Sequence, residues 1–151
     1  MNESADAVEI RRLLEDEDVA ASFSVMQELR PHLTGEGEFR TTVRRLEREI
    51  GYRLVGAFVG EALQAVAGYR IAESLAWGRH LYVVDLVTRS PCRSRGLGAR
   101  LYDWLCREGR REGCRGIHLD SGVQRHAAHR FYLRQRMDIS CFHFQQSIGP
   151  P

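Results

Sequence analysis

Apolar residues along the chain recur at two spacings. Val8-Glu9-Ile10-Arg11-Arg12-Leu13 alternates as a half-buried strand does. Val19, Phe23, Met26 and Leu29 then follow a helical stripe, with Asp16 or Asp18 placed to cap it and Pro31 to stop it. A second stripe, Phe39, Val43, Leu46 and Ile50, ends at Gly51. Two β-rich runs follow, at 52–60 and 63–72, with Gly60-Glu61 as the hairpin turn. Residues 80–88 are the strongest strand signal, near-continuously apolar as in a strand buried on both faces. A helix with Leu97, Leu101, Trp104 and Leu105 on one face runs to Gly113. Gly116–Asp120 predicts a short strand, with Ile117 and Leu119 on one side and His118 and Asp120 on the other. A helix through Ala128, Phe131 and Tyr132 comes next, and Ile139 to Gln146 alternates as a last strand. The order predicts one α/β domain over 1–151, a mixed, mostly antiparallel central sheet flanked by helices on both faces.

A chain of 151 residues is one domain's worth. All 22 of its basic residues are arginine, which excludes a Schiff-base lysine or a P-loop lysine. The formal net charge of +2 is too small to argue for nucleic acid, but it is unevenly spread. Residues 1–50 sum to −5 and the remainder to +7, so the C-terminal part suits an anionic ligand and the N-terminal part a cationic one. Glu15, Asp16, Glu17 and Asp18 also suit a plain helix start. Cys92, Cys106, Cys114 and Cys141 form no C-x-x-C pair, and no apolar stretch has signal-peptide or membrane-span length. The expectation is a cytoplasmic protein with reduced thiols and no membrane partner.

Between the strongest strand and an amphipathic helix stands Arg93-Ser94-Arg95-Gly96-Leu97-Gly98. Such a junction aims unsatisfied backbone N–H groups at one point, where the helix dipole favours an anion. Gly96 and Gly98 let a pyrophosphate approach the main chain. A single G-x-G without a Walker lysine disfavours dinucleotide and P-loop readings.

This run resembles the R/Q-x-x-G-x-G/A acyl-CoA loop of the GNAT N-acetyltransferases. Ala128-His129-Arg130-Phe131-Tyr132 is similar to the same family's A-x-x-F-Y landmark, one helix and one strand later. The resemblance is firm over about residues 80–147, and reaches the N-terminal half only through element order. It implies the GNAT fold, with an acceptor side over 1–78 and an acetyl-CoA-binding core over 79–147. Leu86, Val87 and Thr88 would offer backbone groups to the acetyl and pantetheine part of acetyl-CoA. Arg93, Ser94, Arg95, Gly96, Leu97, Gly98 and Ala99 would cradle the pyrophosphate. Tyr132 would protonate the departing thiolate, as a phenol near pKa 10 can without ionising at rest.

Three positions depart from the family pattern. Arg125 stands where an asparagine often bonds the cofactor, leaving Arg125 to meet a phosphate or face solvent. Arg136-Met137 replaces the glycine–phenylalanine pair that often closes the motif. Pro91 comes one position late.

The acceptor ammonium must lose a proton before it attacks. Asp120, at the end of the strand preceding the tyrosine helix, falls where some family members place a glutamate base. Asp85, inside the strongest strand, is the other candidate, since desolvation would raise its pKa. Each could equally be structural, Asp85 through a neighbouring arginine or amide. Glu73 is a weaker option, and a water chain would also serve. His118, His126 and His129 with Asp120 invite a metal, but an arginine-dense helix repels a cation, and none is expected.

The resulting expectation is transfer of acetyl from acetyl-CoA to a primary amine, either a small cationic amine or a peptide or protein amine. A non-catalytic acyl-CoA-binding or sensing module of the same fold is the alternative. An RNA-binding reading lacks interleaved exposed aromatics. A homodimer fits the family, but no residue here specifies it.

Overall fold

The computed structural model describes residues 7–150. They fall into two compact units, one ending at Leu119 and the other beginning at Asp120. In the first unit the elements run β1 (Val8–Arg12), α1 (Asp16–Leu29), α2 (Glu36–Ile50), β2 (Arg53–Val59), β3 (Ala62–Ser74) and β4 (Gly78–Thr88). A short 3-10 turn over Ser90–Cys92 leads to α3 (Leu97–Arg111) and β5 (Gly116–Leu119). The second unit holds α4 (His126–Arg134).

The strands form one sheet in the order β1-β2-β3-β4-β5, antiparallel except for the parallel pair β4–β5. Side-chain alternation splits the core in two. Val19, Val25, Met26, Phe39 and Val43 from α1 and α2 pack with Leu54, Phe58, Val66 and Val87 of the sheet. Leu97, Leu101 and Leu105 of α3 pack with Val55, Ala67, Tyr69, Leu81 and Val83 on the other face. The mixed sheet with helices on both faces is the architecture expected from the element order.

The sheet has two irregularities. Gln64 is passed over in the β2–β3 register, where Ala57 pairs with Ala65 and Phe58 with Leu63. Val84 is passed over in β3–β4, where Gly68 pairs with Asp85 and Tyr69 with Val83. A bulge reverses which face later residues address. Leu81 and Val83 therefore face α3, whereas Val87 joins the α1/α2 core.

Three expectations are corrected. Neither Asp16 nor Asp18 caps α1: the extended residue before the helix is Glu15, which makes no side-chain cap bond, and both aspartates lie inside the first turn, where Asp16 bonds Arg44 and Asp18 bonds Arg11. β4 is not buried throughout, since the bulge turns Val84 outward to 38% exposure. Residues 139–146 form no strand, and Ile139, Phe142 and Phe144 are 76%, 82% and 90% exposed. Alternation gives a segment the capacity to pleat, but a strand exists only where a neighbour takes its N–H and C=O groups.

In the second unit α4 closes in a Schellman motif. Met137 N–H donates to Tyr132 O at 3.1 Å and Arg136 N–H to Leu133 O at 3.0 Å. Arg136 sits at φ 65°, in the left-handed region that glycine usually fills. The turn is thus made without the glycine common in the family.

Candidate active site

The residues expected to meet the acetyl donor come from consecutive pieces of the first unit. β5 pairs with β4 only as far as Val83, while β3 continues along β4 to Thr88. Leu86, Val87 and Thr88 therefore lie where the β5-facing edge of β4 has lost its strand neighbour. The chain then turns through Ser90–Cys92 into the loop, with Arg93, Ser94, Arg95 and Gly96 exposed.

Two left-handed residues shape that loop, Ser94 at φ 66° and Gly96 at φ 79°. Gly96 is the residue at which α3 begins, and no side chain caps the helix. The first intrahelical acceptor is Gly96 O, which takes Arg100 N–H at 3.1 Å. The amides of Leu97, Gly98 and Ala99 consequently have no intrahelical acceptor, and the first turn contains no acid. Uncapped amides, the helix dipole and two exposed arginines fit a pyrophosphate. Gly98 lies within α3, so its use is the space left by the missing side chain rather than a special backbone conformation.

Sequence reasoning missed the groups that hold this region from α1. Arg30, at the C-terminus of α1, donates through Nε to Asp85 Oδ1 at 3.0 Å and through Nη2 to the bulged Val84 O at 3.1 Å. Tyr52 Oη donates to Asp85 Oδ2 at 2.6 Å. Both carboxylate oxygens of the 9%-exposed Asp85 are thus engaged. Burial and the adjacent carboxylate push the Tyr52 phenol well above its usual value. Farther along, Arg89 donates to Ser24 Oγ, Leu63 O and Gln64 O. Glu28 accepts from Ser90, and Cys92 Sγ donates to Gln64 Oε1 at 3.2 Å. The partners in these contacts are 25 to 65 positions apart, beyond the reach of local periodicity.

The second unit carries the other predicted residues. Asp120 is exposed, with Oδ2 3.4 Å from His143 Nδ1. Tyr132, on α4, has its phenol raised by burial, while a hydrogen bond and charge from Arg125 oppose that rise. Arg125 therefore stands beside the tyrosine rather than facing only solvent. His129 Nε2 lies 2.7 Å from Gly122 O. In the first unit His118 stacks on Trp77 with ring centroids 4.1 Å apart, and its pKa is lowered by burial and by His80. Glu73 lies near the far end of β3, opposite Arg79 of β4.

The acidity of the N-terminal part is largely matched internally. Asp18 bonds Arg11, Asp16 and Glu47 bond Arg44, and Glu49 bonds Arg45. Exposed Glu15 and Glu17 at the start of α1, and exposed Glu36 and Glu38 on the first turn of α2, lie outside these pairs. Among the described residues no three or more His, Cys, Asp or Glu are grouped to hold a metal ion, and no helix is long and apolar enough to cross a membrane.

The acetyltransferase (GNAT) family model matches residues 12–136. The chain is 36% identical over 145 residues to the uncharacterized N-acetyltransferase YhdJ of Bacillus subtilis, covering 93% of this chain and 99% of that protein. It is 33% identical over 66 residues to an aminoalkylphosphonate N-acetyltransferase of Salmonella typhimurium, 44% of this chain and 43% of that protein. Its fold is similar to that of a ribosomal-protein-alanine N-acetyltransferase from Brucella melitensis, with TM-score 0.81 at 14% identity over 95% of this chain and 100% of the other. The open edge of β4, the uncapped start of α3 and these matches agree: the chain belongs to the GNAT acetyltransferase family.

Proposed function

We propose that the protein transfers acetyl from acetyl-CoA to a primary amine by direct attack. The observation that carries this reading is the β4 edge without a β5 neighbour beyond Val83, leading through an arginine-bearing loop to an acid-free helix N-terminus. Thioester and pantetheine lie along Leu86–Thr88, and the pyrophosphate meets Arg93–Ala99. The acceptor is a cationic amine, which the exposed acids at the starts of α1 and α2 (Glu15, Glu17, Glu36 and Glu38) favour.

Asp120 takes the proton from the acceptor ammonium. The amine lone pair attacks the thioester carbonyl carbon, the nitrogen of the tetrahedral adduct releases its second proton to solvent as the C–S bond breaks, and Tyr132 gives its phenolic proton to the departing thiolate. The products are an amide and the free thiol of CoA, and the two side chains re-equilibrate with solvent. A phenol raised by burial supports this role because it stays protonated at neutral pH. Asp85 has both oxygens engaged, so we assign it to holding the β4 bulge rather than to proton transfer.

An amine-library screen with thiol release as readout tests the reading. Turnover with at least one amine is expected, lost in Tyr132→Phe while acetyl-CoA affinity stays within about twofold. Acetyl-CoA binding without thiol release from any amine would favour the sensing module instead. No binding of any acyl-CoA would remove both.

A further inference from the structure

We infer that Glu28, in the last turn of α1, is a positioning residue for the donor loop, fixing the turn that joins β4 to the start of α3. The inference rests on the acetyl-CoA reading of that loop. Glu28 Oε1 accepts two hydrogen bonds from one residue, Ser90 N–H at 3.0 Å and Ser90 Oγ–H at 2.6 Å. Ser90 opens the 3-10 turn, whose preceding residue, Arg89, provides no side-chain cap. Pro91 has no N–H, and Cys92 N–H already donates to Arg89 O at 2.9 Å. Ser90 N–H is therefore the donor this turn leaves over, and α1 supplies its acceptor from 62 residues away. One turn earlier on the same helix, Ser24 Oγ accepts from Arg89 Nη2 at 2.6 Å. Two adjacent turns of α1 thus grip two adjacent residues of the connection.

The charge of Glu28 points the same way. Its carboxylate lies 4.0 Å from Arg93 Nη2, so it weakens the positive field that a pyrophosphate needs. An acid beside an anion loop works against binding unless it holds the loop in shape. The Ser90 bonds keep it ionised, below the usual carboxylate range despite partial burial.

Both hydrogen bonds end on one oxygen, which separates shape from charge. Glu28→Gln retains an acceptor oxygen there and removes the charge; Glu28→Ala removes both. With an amine found by thiol release, Glu28→Ala should raise the KM for acetyl-CoA about tenfold. Its kcat and its KM for the amine should stay within about twofold. Glu28→Gln should keep the wild-type KM or lower it up to about threefold, because Arg93 is relieved of its neighbour. Ser90→Ala, which deletes only the hydroxyl donor, should raise the KM about threefold and serves if Glu28→Ala fails to fold. Calorimetric titration with acetyl-CoA should follow the same order without an acceptor present. Wild-type affinity in both Glu28→Ala and Ser90→Ala, or equal damage in Glu28→Gln and Glu28→Ala, would overturn the inference while leaving the acetyl-CoA reading standing. Absence of acetyl-CoA binding by the wild type would remove that reading, and the inference with it.

Discussion

Tyr52 and Asp85 face each other across Gly68, the phenol donating to Asp85 Oδ2 at 2.6 Å at the point where the β3–β4 register slips. A β-carbon on Gly68 would lie 1.9 Å from Tyr52 Oη, 2.5 Å from its Cζ and 2.8 Å from Asp85 Oδ2. The glycine is needed for room. Gly68→Ala should destabilise the fold by about 1–3 kcal/mol, as overpacking does. Tyr52→Phe alone should cost about 1.5–3 kcal/mol, the range for a hydrogen bond to a charged group. Added to Gly68→Ala, Tyr52→Phe should relieve only part of the clash, because Cζ remains. Urea unfolding of the two single variants and the double variant measures the coupling; additive costs would show that the three groups do not share one space.

Gly96 poses the opposite case. Its φ of 79° is left-handed, yet nothing lies within 4 Å of an added β-carbon. Gly96→Ala therefore tests backbone strain with no clash, and should cost roughly 1–2 kcal/mol. The rise in melting temperature produced by acetyl-CoA should shrink as well, since the loop relaxes away from the shape that presents its amides. An unchanged ligand-induced shift would separate the loop conformation from donor binding.

Arg136 is strained without needing to be. It holds φ 65° at the end of α4, where glycine carries no β-carbon penalty. Arg136→Gly should stabilise by about 0.5 kcal/mol, the left-handed penalty removed less the extra freedom gained by the unfolded chain. Chemical denaturation at neutral pH reads this directly; a destabilised variant would place the value of Arg136 in its side chain.

Arg125 holds down the phenol that burial raises. Removing it in Arg125→Met should move Tyr132 further above its usual value. A general acid is lost as pH rises through its pKa, so the alkaline limb of kcat should shift to higher pH. The same limb should disappear in Tyr132→Phe. An alkaline limb that stays in place in Arg125→Met would detach it from Tyr132.

His118 makes stability depend on pH. Its folded pKa lies below the ordinary value, so near pH 6.5 the unfolded chain binds more protons than the folded one. Stability should be level above that region and fall as pH drops through the unfolded pKa toward the folded one. His118→Phe keeps a ring beside Trp77 and removes the titration, so its melting temperature should change less between pH 7.5 and pH 5.5. Equal pH dependence in both proteins would assign the effect elsewhere.

Periodicity identified the elements of the first unit because each buries one face, and burial leaves a spacing that the residues themselves carry. Val19 and Met26 of α1, Phe39 and Val43 of α2, and Leu97, Leu101 and Leu105 of α3 are all buried where the stripes placed them. The strand-to-helix junction at Arg93–Gly98 was equally legible, because its arginines and its left-handed glycine are local features. Residues 139–146 were misread for the complementary reason. Alternation is local, whereas a strand is a relation with a neighbour.

The sequence by itself thus determined where the chain turns, which faces are apolar and where a helix starts on a left-handed glycine, all of them properties of a few adjacent residues. Tertiary structure alone decided which partners the ionisable groups meet. Asp85 reads equally as a desolvated base or as a structural carboxylate in the sequence, and its partners appear only when Arg30 and Tyr52, 55 and 33 positions away, occupy both of its oxygens. Glu28 reads as one more helix acid until Ser90 meets it across 62 residues. The role of a charged group is set by what surrounds it in space, and packing of distant segments supplies those surroundings.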